Sequence, residues 1–228
     1  LVVGSGMSGA LASYELSKNG YKVTLIEQNR IASGSTSANT GLIQYMSDQG
    51  VKKFSEQIGI ENAVKFYNQS KEAVSDLSAI EKDLFVINQK NFKKSDSLIL
   101  ATDKKKIDDV KDETKMQKEI GYDVNYVDRQ ELESYNISAY GGLKCGPDIN
   151  LNPYNFVLRL LKTSCENYDW QIVEGVRFIE DINKNGENIV SLEIAGEIIE
   201  KSYKKIIIAC GYNPPHQFQK NLQKVEMY

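Results

Sequence analysis

The stretch Leu1-Val2-Val3-Gly4-Ser5-Gly6-Met7-Ser8-Gly9 decides the fold of this chain. An apolar run enters the pattern Gly4-x-Gly6-x-x-Gly9, and a helical pattern follows over residues 10–18. Gly20 ends that helix, and a second apolar run leads to Glu27, 18 residues after Gly9. Strand, glycine-rich turn, helix, strand and acid at these spacings predict a βαβ dinucleotide-binding unit of the Rossmann type.

Each residue of this pattern has a physical role. Gly4 permits the tight turn, Gly6 leaves the backbone open to a pyrophosphate, and Gly9 lets the helix lie close to the sheet. The helix N-terminus offers free N–H groups and a positive dipole to phosphate oxygens. Glu27 is placed to accept hydrogen bonds from ribose hydroxyls, and its charge disfavours the 2′-phosphate of NADP. The alternative is a glycine-rich turn without a ligand.

Composition excludes several classes of protein. The 228 residues carry a formal charge of -3, which gives no electrostatic case for binding nucleic acid or an anionic membrane. No apolar run approaches the ~20 residues that span a bilayer. The three cysteines, Cys145, Cys165 and Cys210, lack CxxC spacing, so they indicate neither a zinc site nor a disulfide framework. No metal site is predicted, and a cytoplasmic location fits best.

A polar loop follows the predicted nucleotide-binding unit. Residues 33–41 read Ser-Gly-Ser-Thr-Ser-Ala-Asn-Thr-Gly, a density of hydroxyls, amide and glycine that suits a loop around a polar ligand. The alternative is a flexible serine-rich linker. Beyond it, apolar residues at helical spacing predict one long amphipathic helix over residues 61–84.

The middle of the chain has a different pattern of short segments. Short β-like runs at 97–101 and 124–127 alternate with charged helical stretches at 104–119 and 130–134, which predicts a separate small α/β layer. Asp128 and Glu131 form a capping-box pattern at the second helix.

The remainder returns to strands. Asn152-Pro153 predicts a helix start, with a side-chain cap followed by proline, and the helix runs to about residue 167. Strands are expected at 171–173 with 176–182, at 189–194 and at 197–201, with a hairpin turn between 181 and 187. An apolar, buried parallel strand over 205–209 ends at Cys210-Gly211, where open α/β sheets bind ligands.

Taken in order, these pieces resemble FAD-dependent oxidoreductases of the D-amino-acid oxidase and glycine oxidase superfamily. The features that carry the resemblance are the glycine-rich turn with Glu27, the loop 33–41, Gly141-Gly142 ahead of Asn152-Pro153, Val176 in its strand, and residues 206–211. They are collinear over residues 1–213. The implied fold is α/β: a Rossmann-like FAD-binding domain, residues 1–82 and 150–213, with a discontinuous α+β substrate domain, residues 83–149 and 214–228.

The resemblance also implies roles for matched positions. The pyrophosphate, adenosine and flavin of FAD would be contacted by Gly4, Gly6, Met7, Ser8, Gly9, Glu27, Gln28, Arg30, Ser35, Thr36, Asn39, Thr40, Gly41, Leu42, Val176, Ala209, Cys210 and Gly211. Ile43 would approach the isoalloxazine beside Leu42. Cys210 replaces an alanine or threonine common in the family, a change that its small size makes tolerable.

The chain is shorter than the resemblance leads us to expect. Only three residues precede Gly4, whereas strands usually have about 5–6 residues, so further residues are expected ahead of Leu1. About the last third of the family pattern, including the arginine that binds the substrate carboxylate, is also missing. We therefore expect that this chain alone does not turn over.

The resemblance implies oxidation of an amino acid or related amine by hydride transfer to the flavin, followed by hydrolysis of the imine. A 2-hydroxy acid or glycerol-phosphate dehydrogenase, a non-catalytic nucleotide-binding subunit and an NAD-linked Rossmann enzyme are the alternatives. No catalytic residue is assigned, because His216 is better explained as an ordinary loop histidine. The expected partner is a small amine or acid, and the sequence does not indicate an oligomeric state.

Overall fold

The computed structural model describes residues 1–84 and 92–212. These residues form two compact units, the first from residues 1–40, 84 and 152–212 and the second from residues 41–83 and 92–151. The units change over at residue 41, whereas the FAD-binding domain was expected to run to residue 82. The functional domain boundaries therefore stay a prediction.

The helices and strands of the described residues are, in chain order, β1 (Val2–Val3), α1 (Met7–Lys18), β2 (Val23–Glu27), β3 (Leu42–Ile43), α2 (Gly50–Ile58), α3 (Ile60–Asp83), β4 (Phe92–Leu100), α4 (Ile107–Glu119), β5 (Asn125–Asp128), α5 (Arg129–Ser134), β6 (Gly141–Leu151), α6 (Pro153–Asn167), β7 (Trp170–Glu174), β8 (Val176–Lys184), β9 (Glu187–Ile194), β10 (Glu197–Ser202) and β11 (Ile207–Ile208). Short 3₁₀ turns occur at Ser35–Ser37 and Lys104–Lys106.

A parallel sheet in the order β11-β1-β2-β7 organises the first unit. Val2 pairs with Leu25 on one side and with Ile207 on the other, so β1 is flanked by the strand that follows it and by a strand from late in the chain. Helix α1 connects β1 to β2 and ends where Gly20 adopts a φ of 82°. The predicted βαβ unit is confirmed.

A second sheet of the first unit is antiparallel, in the order β10-β9-β8. Its β8–β9 turn contains Asn185 and Gly186, both at positive φ (54° and 86°), which is the backbone geometry of a two-residue type I′ hairpin. The predicted hairpin is therefore confirmed. An apolar cluster built from Val3 and Ile26 of the parallel sheet and Val176, Phe178, Val190 and Leu192 of the antiparallel sheet joins the two.

Two expectations about the late strands change in the structure. Residues 171–173 and 176–182 were grouped together, but β7 belongs to the parallel sheet and β8 to the antiparallel one, with Gly175 at a φ of 72° between them. The strand expected over 205–209 is parallel, as predicted, but is short and not fully buried. Ile207 is 36% exposed because β11 is the edge strand of this sheet in the described residues.

The second unit is built around β6, which pairs antiparallel with β3, β4 and β5. Helix α3 confirms the long helix predicted from apolar spacing, and α5 begins where Asp128 Oδ1 accepts the backbone N–H of Glu131 at 2.9 Å. The sequence did not indicate β6, because Gly141-Gly142 and Gly146-Pro147 break the pattern of an apolar strand. The unit is therefore α+β, with an antiparallel sheet.

Helix α2 also went unpredicted, and a distant carboxylate stabilises its start. Glu113 in α4 accepts the backbone N–H groups of Val51 at 2.6 Å and Lys52 at 2.9 Å, while Gln117 donates to the same carboxylate at 2.7 Å. No side chain of the adjoining turn caps α2. Glu113 thus satisfies N–H groups that the helix itself leaves without partners.

Replacing Glu113 with alanine is expected to lower the free energy of unfolding by roughly 1.5–3 kcal/mol, because charge-assisted hydrogen bonds to two backbone N–H groups are lost. Urea denaturation measures the change. Glu119→Ala is the matched control in the same helix, since Glu119 makes an exposed ion pair with Lys115 at 3.9 Å and should cost under about 0.5 kcal/mol. Equal stability of the two variants would contradict the capping role.

Candidate functional site

The glycine-rich turn brings three segments of the first unit into close backbone contact. A Cβ atom on Gly4 would lie 2.4 Å from the carbonyl oxygen of Ala209, and one on Gly9 would lie 1.9 Å from the carbonyl oxygen of Gly4. Gly4 also has a φ of 100°, which disfavours residues with a side chain. The turn, the start of α1 and the segment after β11 can approach this closely only with glycine at both positions.

Gly6 has a different surrounding. Among the described residues, and leaving out its two chain neighbours, the one atom within 4 Å of a Cβ built on Gly6 is Oγ1 of Thr36, at 3.2 Å. Gly6 lines an open cavity together with Met7 and Ser8, the first residues of α1. The backbone of Gly6 and Ser8 therefore lines the cavity at the helix start, as an anion-binding site requires.

Thr36 supplies an acceptor at the start of α1. Its Oγ1 accepts the backbone N–H of Met7 at 3.0 Å, and Gly6, the N-cap residue, offers no side chain of its own. The surrounding loop is ordered by its own polar side chains. Asn39 Nδ2 donates to the carbonyl oxygens of Ser35 and Thr36, each at 3.1 Å. The predicted ligand loop is thus a compact turn that holds the Thr36 hydroxyl against the helix start.

Glu27 lies at the end of β2 with its carboxylate held in place. Oε2 accepts the backbone N–H of Ser5 at 3.0 Å and the Ser5 hydroxyl at 2.7 Å, while Oε1 accepts the backbone N–H of Asn29 at 2.8 Å. The carboxylate lines the same cavity as the glycine-rich turn. A fixed acceptor and a helix N-terminus therefore share one cavity.

Another wall of the cavity comes from β8 and from the segment after β11. Val176–Ile179 and Ile207–Tyr212 line it, and its volume is about 1050 Å³, at the upper end of the range for small-molecule sites. Glu27 and Arg177 are the charged side chains among the described lining residues. The guanidinium of Arg177 is bound to the carboxylate of Glu193. The cavity thus offers mainly neutral donors, suited to a large polar ligand.

Cys210 is half-buried in this wall. Its Sγ lies 3.7 Å from the carbonyl oxygen of Val3, and burial together with the Glu27 carboxylate raises the pKa of the thiol. A thiol whose pKa is raised stays protonated near neutral pH, so it acts here as a small packing residue. All three cysteines of the chain are free.

The structure brings most of the predicted cofactor residues together. The cavity is lined by Gly4, Gly6, Met7, Ser8, Glu27, Gln28, Ser35, Thr36, Val176, Ala209, Cys210 and Gly211. Gly9 lies beneath the turn and Asn39 supports the loop. Arg30 and Thr40 are exposed and do not line it, and Gly41 and Leu42 open the second unit. His216 lies outside the described residues. The contacts of each residue with a cofactor stay predictions.

Sequence reasoning missed several lining residues, and Ser5 is foremost among them. Ser5 is fully buried and contacts Glu27 through both its backbone and its side chain. Its place between two motif glycines was the available signal, since a side chain there projects toward the end of the next strand. Asn29, Ala32 and Arg177 also line the cavity without a pattern of their own, whereas Ser33 and Gly34, which line it too, belong to the loop 33–41 that was predicted to surround a polar ligand.

Within residues 1–84 and 92–212, no group of three or more His, Cys, Asp or Glu side chains is arranged to hold a metal ion. Over the same residues, every helix is too short or too polar to cross a bilayer.

Comparison with known proteins gives consistent results. Residues 1–227 match the DAO family model, described as FAD dependent oxidoreductase. A probable oxidoreductase of Haemophilus influenzae, OrdL, is 28% identical over 189 residues, which are 81% of this chain and 43% of that protein.

Two solved structures illustrate the fold. Glycine oxidase from Geobacillus kaustophilus superposes with a TM-score of 0.71 at 17% identity, over 92% of this chain and 54% of that one. L-alpha-glycerophosphate oxidase from Mycoplasma pneumoniae, with FAD bound, gives 0.62 at 22% identity, over 83% of this chain and 48% of that one. The chain spans about half the length of these relatives.

Gly6→Val is expected to abolish FAD binding, because the added side chain fills the space between the backbone and the cavity. Gly6→Ala should weaken binding less, since its Cβ requires only a small shift of Thr36. Fluorescence titration with FAD measures the dissociation constants of both variants. Ala12→Val, a β-branched change within α1 but away from the cavity, is the control for folding. Full FAD occupancy in Gly6→Val would contradict this placement.

Proposed function

Because this chain belongs to the DAO family of FAD dependent oxidoreductases, we propose that the cavity of the first unit holds the adenosine and pyrophosphate of FAD. We further propose that the protein oxidises an amino acid or a related amine. The observation that carries the first proposal is the convergence of an open helix N-terminus and a fixed carboxylate in one cavity of about 1050 Å³.

The residues present fit an adenine dinucleotide. Gly6 and Ser8 bring the backbone of a helix start to the cavity, where the dipole favours phosphate oxygens, while the N–H of Met7 is donated to Thr36. Glu27 is an anionic acceptor at the end of the neighbouring strand, the place where this kind of site receives ribose hydroxyls. Val176 and Arg177 on β8 supply the wall beside Glu27. The ligand's negative charge is then balanced by backbone dipoles.

FAD, when bound, supplies a two-electron acceptor for hydride transfer. The contribution of this part of the chain is to bind and orient that group: the glycine-rich turn leaves room for it, Thr36 supports the helix start, and Glu27 fixes one end. No side chain described here is assigned a proton transfer.

The substrate is proposed from likeness. The fold of glycine oxidase is similar to that of this chain, and an amino acid or amine is proposed as the substrate from that similarity. L-alpha-glycerophosphate oxidase is also similar, which favours as second candidate an oxidase of a hydroxyl-bearing substrate. Both reactions remove a hydride from a carbon that bears a heteroatom, so one flavin-binding unit serves either.

The first test is the visible spectrum of the purified full-length protein, with release and identification of its chromophore. Released FAD supports the proposed cofactor, and anaerobic addition of amino acids, amines, 2-hydroxy acids and glycerol phosphate then shows which compound bleaches the flavin. Bleaching by hydroxy compounds alone would replace the amine proposal with the second candidate. A protein that binds FAD but is bleached by none of these compounds would instead be a non-catalytic subunit.

Cys210 gives an independent test of where FAD binds. FAD is expected to slow alkylation of Cys210 by N-ethylmaleimide at least about 5-fold, whereas Cys165, exposed on α6 and outside the cavity, should react at the same rate with and without FAD. Since the pKa of Cys210 is raised above its ordinary value of 9.0, its labelling rate should keep rising as the pH passes 9. Peptide mass spectrometry follows each site. Protection of neither cysteine by bound FAD would place FAD elsewhere.

A further inference from the structure

Ser5 occupies the position between the first two glycines of the motif and is fully buried. Its hydroxyl donates to Glu27 Oε2 at 2.7 Å and accepts the backbone N–H of Ala32 at 3.2 Å. One side chain therefore connects the glycine-rich turn, the acid at the end of β2 and the loop that follows that acid. The pattern Gly-x-Gly-x-x-Gly requires no hydroxyl at this position.

The hydrogen bonds of Glu27 define what remains open on its carboxylate. Oε2 accepts two donors from Ser5, its backbone N–H and its hydroxyl, and Oε1 accepts the backbone N–H of Asn29. An ionised carboxylate offers about four acceptor positions over its two oxygens. Donors among the described residues occupy three of them, so one remains, and it is on Oε1.

We propose that Ser5 is a positioning residue that fixes the Glu27 carboxylate and leaves Oε1 alone to accept one hydroxyl of the adenosine ribose. This inference rests on the proposed function, because it assigns that hydroxyl to FAD. Fixing the side chain before the ligand arrives removes the entropy that a mobile glutamate would lose on binding. Occupation of Oε2 by Ser5 also prevents Glu27 from accepting two ribose hydroxyls at once.

The test uses ADP and 2′,3′-dideoxy-ADP as probes of the purified protein freed of bound nucleotide, with dissociation constants from calorimetry. Wild type should bind ADP at least about 10-fold more tightly than the dideoxy compound, because the dideoxy compound cannot donate the charge-assisted hydrogen bond to Glu27. Ser5→Ala should reduce this ratio of affinities at least about 3-fold, because it weakens the binding of ADP and leaves the binding of the dideoxy compound unchanged.

Ser13→Ala is the matched control. Ser13 is as buried as Ser5, lies in α1, and has a hydroxyl without a hydrogen-bond partner among the described residues. Its removal should leave both dissociation constants at the wild-type values. Circular dichroism verifies that each variant is folded.

Three outcomes would overturn the proposal. If Ser5→Ala weakens ADP and dideoxy-ADP equally, Ser5 has only a structural role. If Ser5→Ala binds both as wild type does, Ser5 does not position Glu27. If wild type binds neither ADP nor FAD, the proposed function fails, and this inference fails with it. Binding of FAD by wild type separates the first two outcomes from the third.

A second measurement applies even if Ser5→Ala does not fold. Glu27→Gln is titrated with 2′-deoxy-ADP and with 3′-deoxy-ADP alongside wild type. If Glu27 accepts only one ribose hydroxyl, the substitution should weaken the binding of only the analogue that retains that hydroxyl, by about 10-fold. Equal weakening of both analogues would show that Glu27 accepts both hydroxyls, and would overturn the role given to Ser5.

Discussion

Backbone crowding at the carboxyl end of the parallel sheet is the constraint on which the first unit depends. Gly9 lies so close to the carbonyl group of Gly4 that a Cβ atom would overlap it, and Gly4 approaches Ala209 almost as closely. This contact sets the position of α1 over the sheet and the direction in which its first N–H groups point. It also places the segment after β11 across the turn. The cavity exists because these three segments meet there.

The cavity combines preorganised dipoles with little net charge. Neutral N–H groups and hydroxyls dominate its lining, and the two charged side chains of the described lining, Glu27 and Arg177, both have protein partners. A ligand with negative phosphates and neutral sugar hydroxyls matches such a lining, because helix dipoles favour the phosphates and a fixed carboxylate accepts a hydroxyl. A cation-rich site would select phosphate charge with less regard to the rest of the ligand.

In the second unit, a side chain far away in the sequence defines where a helix begins. Its sheet is antiparallel around β6, and helix α2 begins where Glu113 of another helix accepts two of its N–H groups. Gly50, with a φ of 68°, precedes those groups, and a Cβ there would lie 2.8 Å from the Glu113 carboxylate. Distant residues thus define where this helix starts. Local sequence preference contributes little to that position.

The sequence by itself determined the βαβ unit, because the glycines at Gly4 and Gly9 and the two apolar runs are requirements of short segments that the motif contains. It also determined the start of α6, where Asn152 accepts the backbone N–H of Asn155 at 2.9 Å ahead of Pro153. Only the tertiary structure decided the sheet to which β7 and β8 belong, the central strand β6, and the bonds from Ser5 to Glu27. Those features depend on contacts between residues far apart in the chain, such as Ser5 and Glu27, which are 22 positions apart. Such pairings leave no periodic pattern in the sequence, because the free energy that selects them comes from burial and hydrogen bonding in the folded chain.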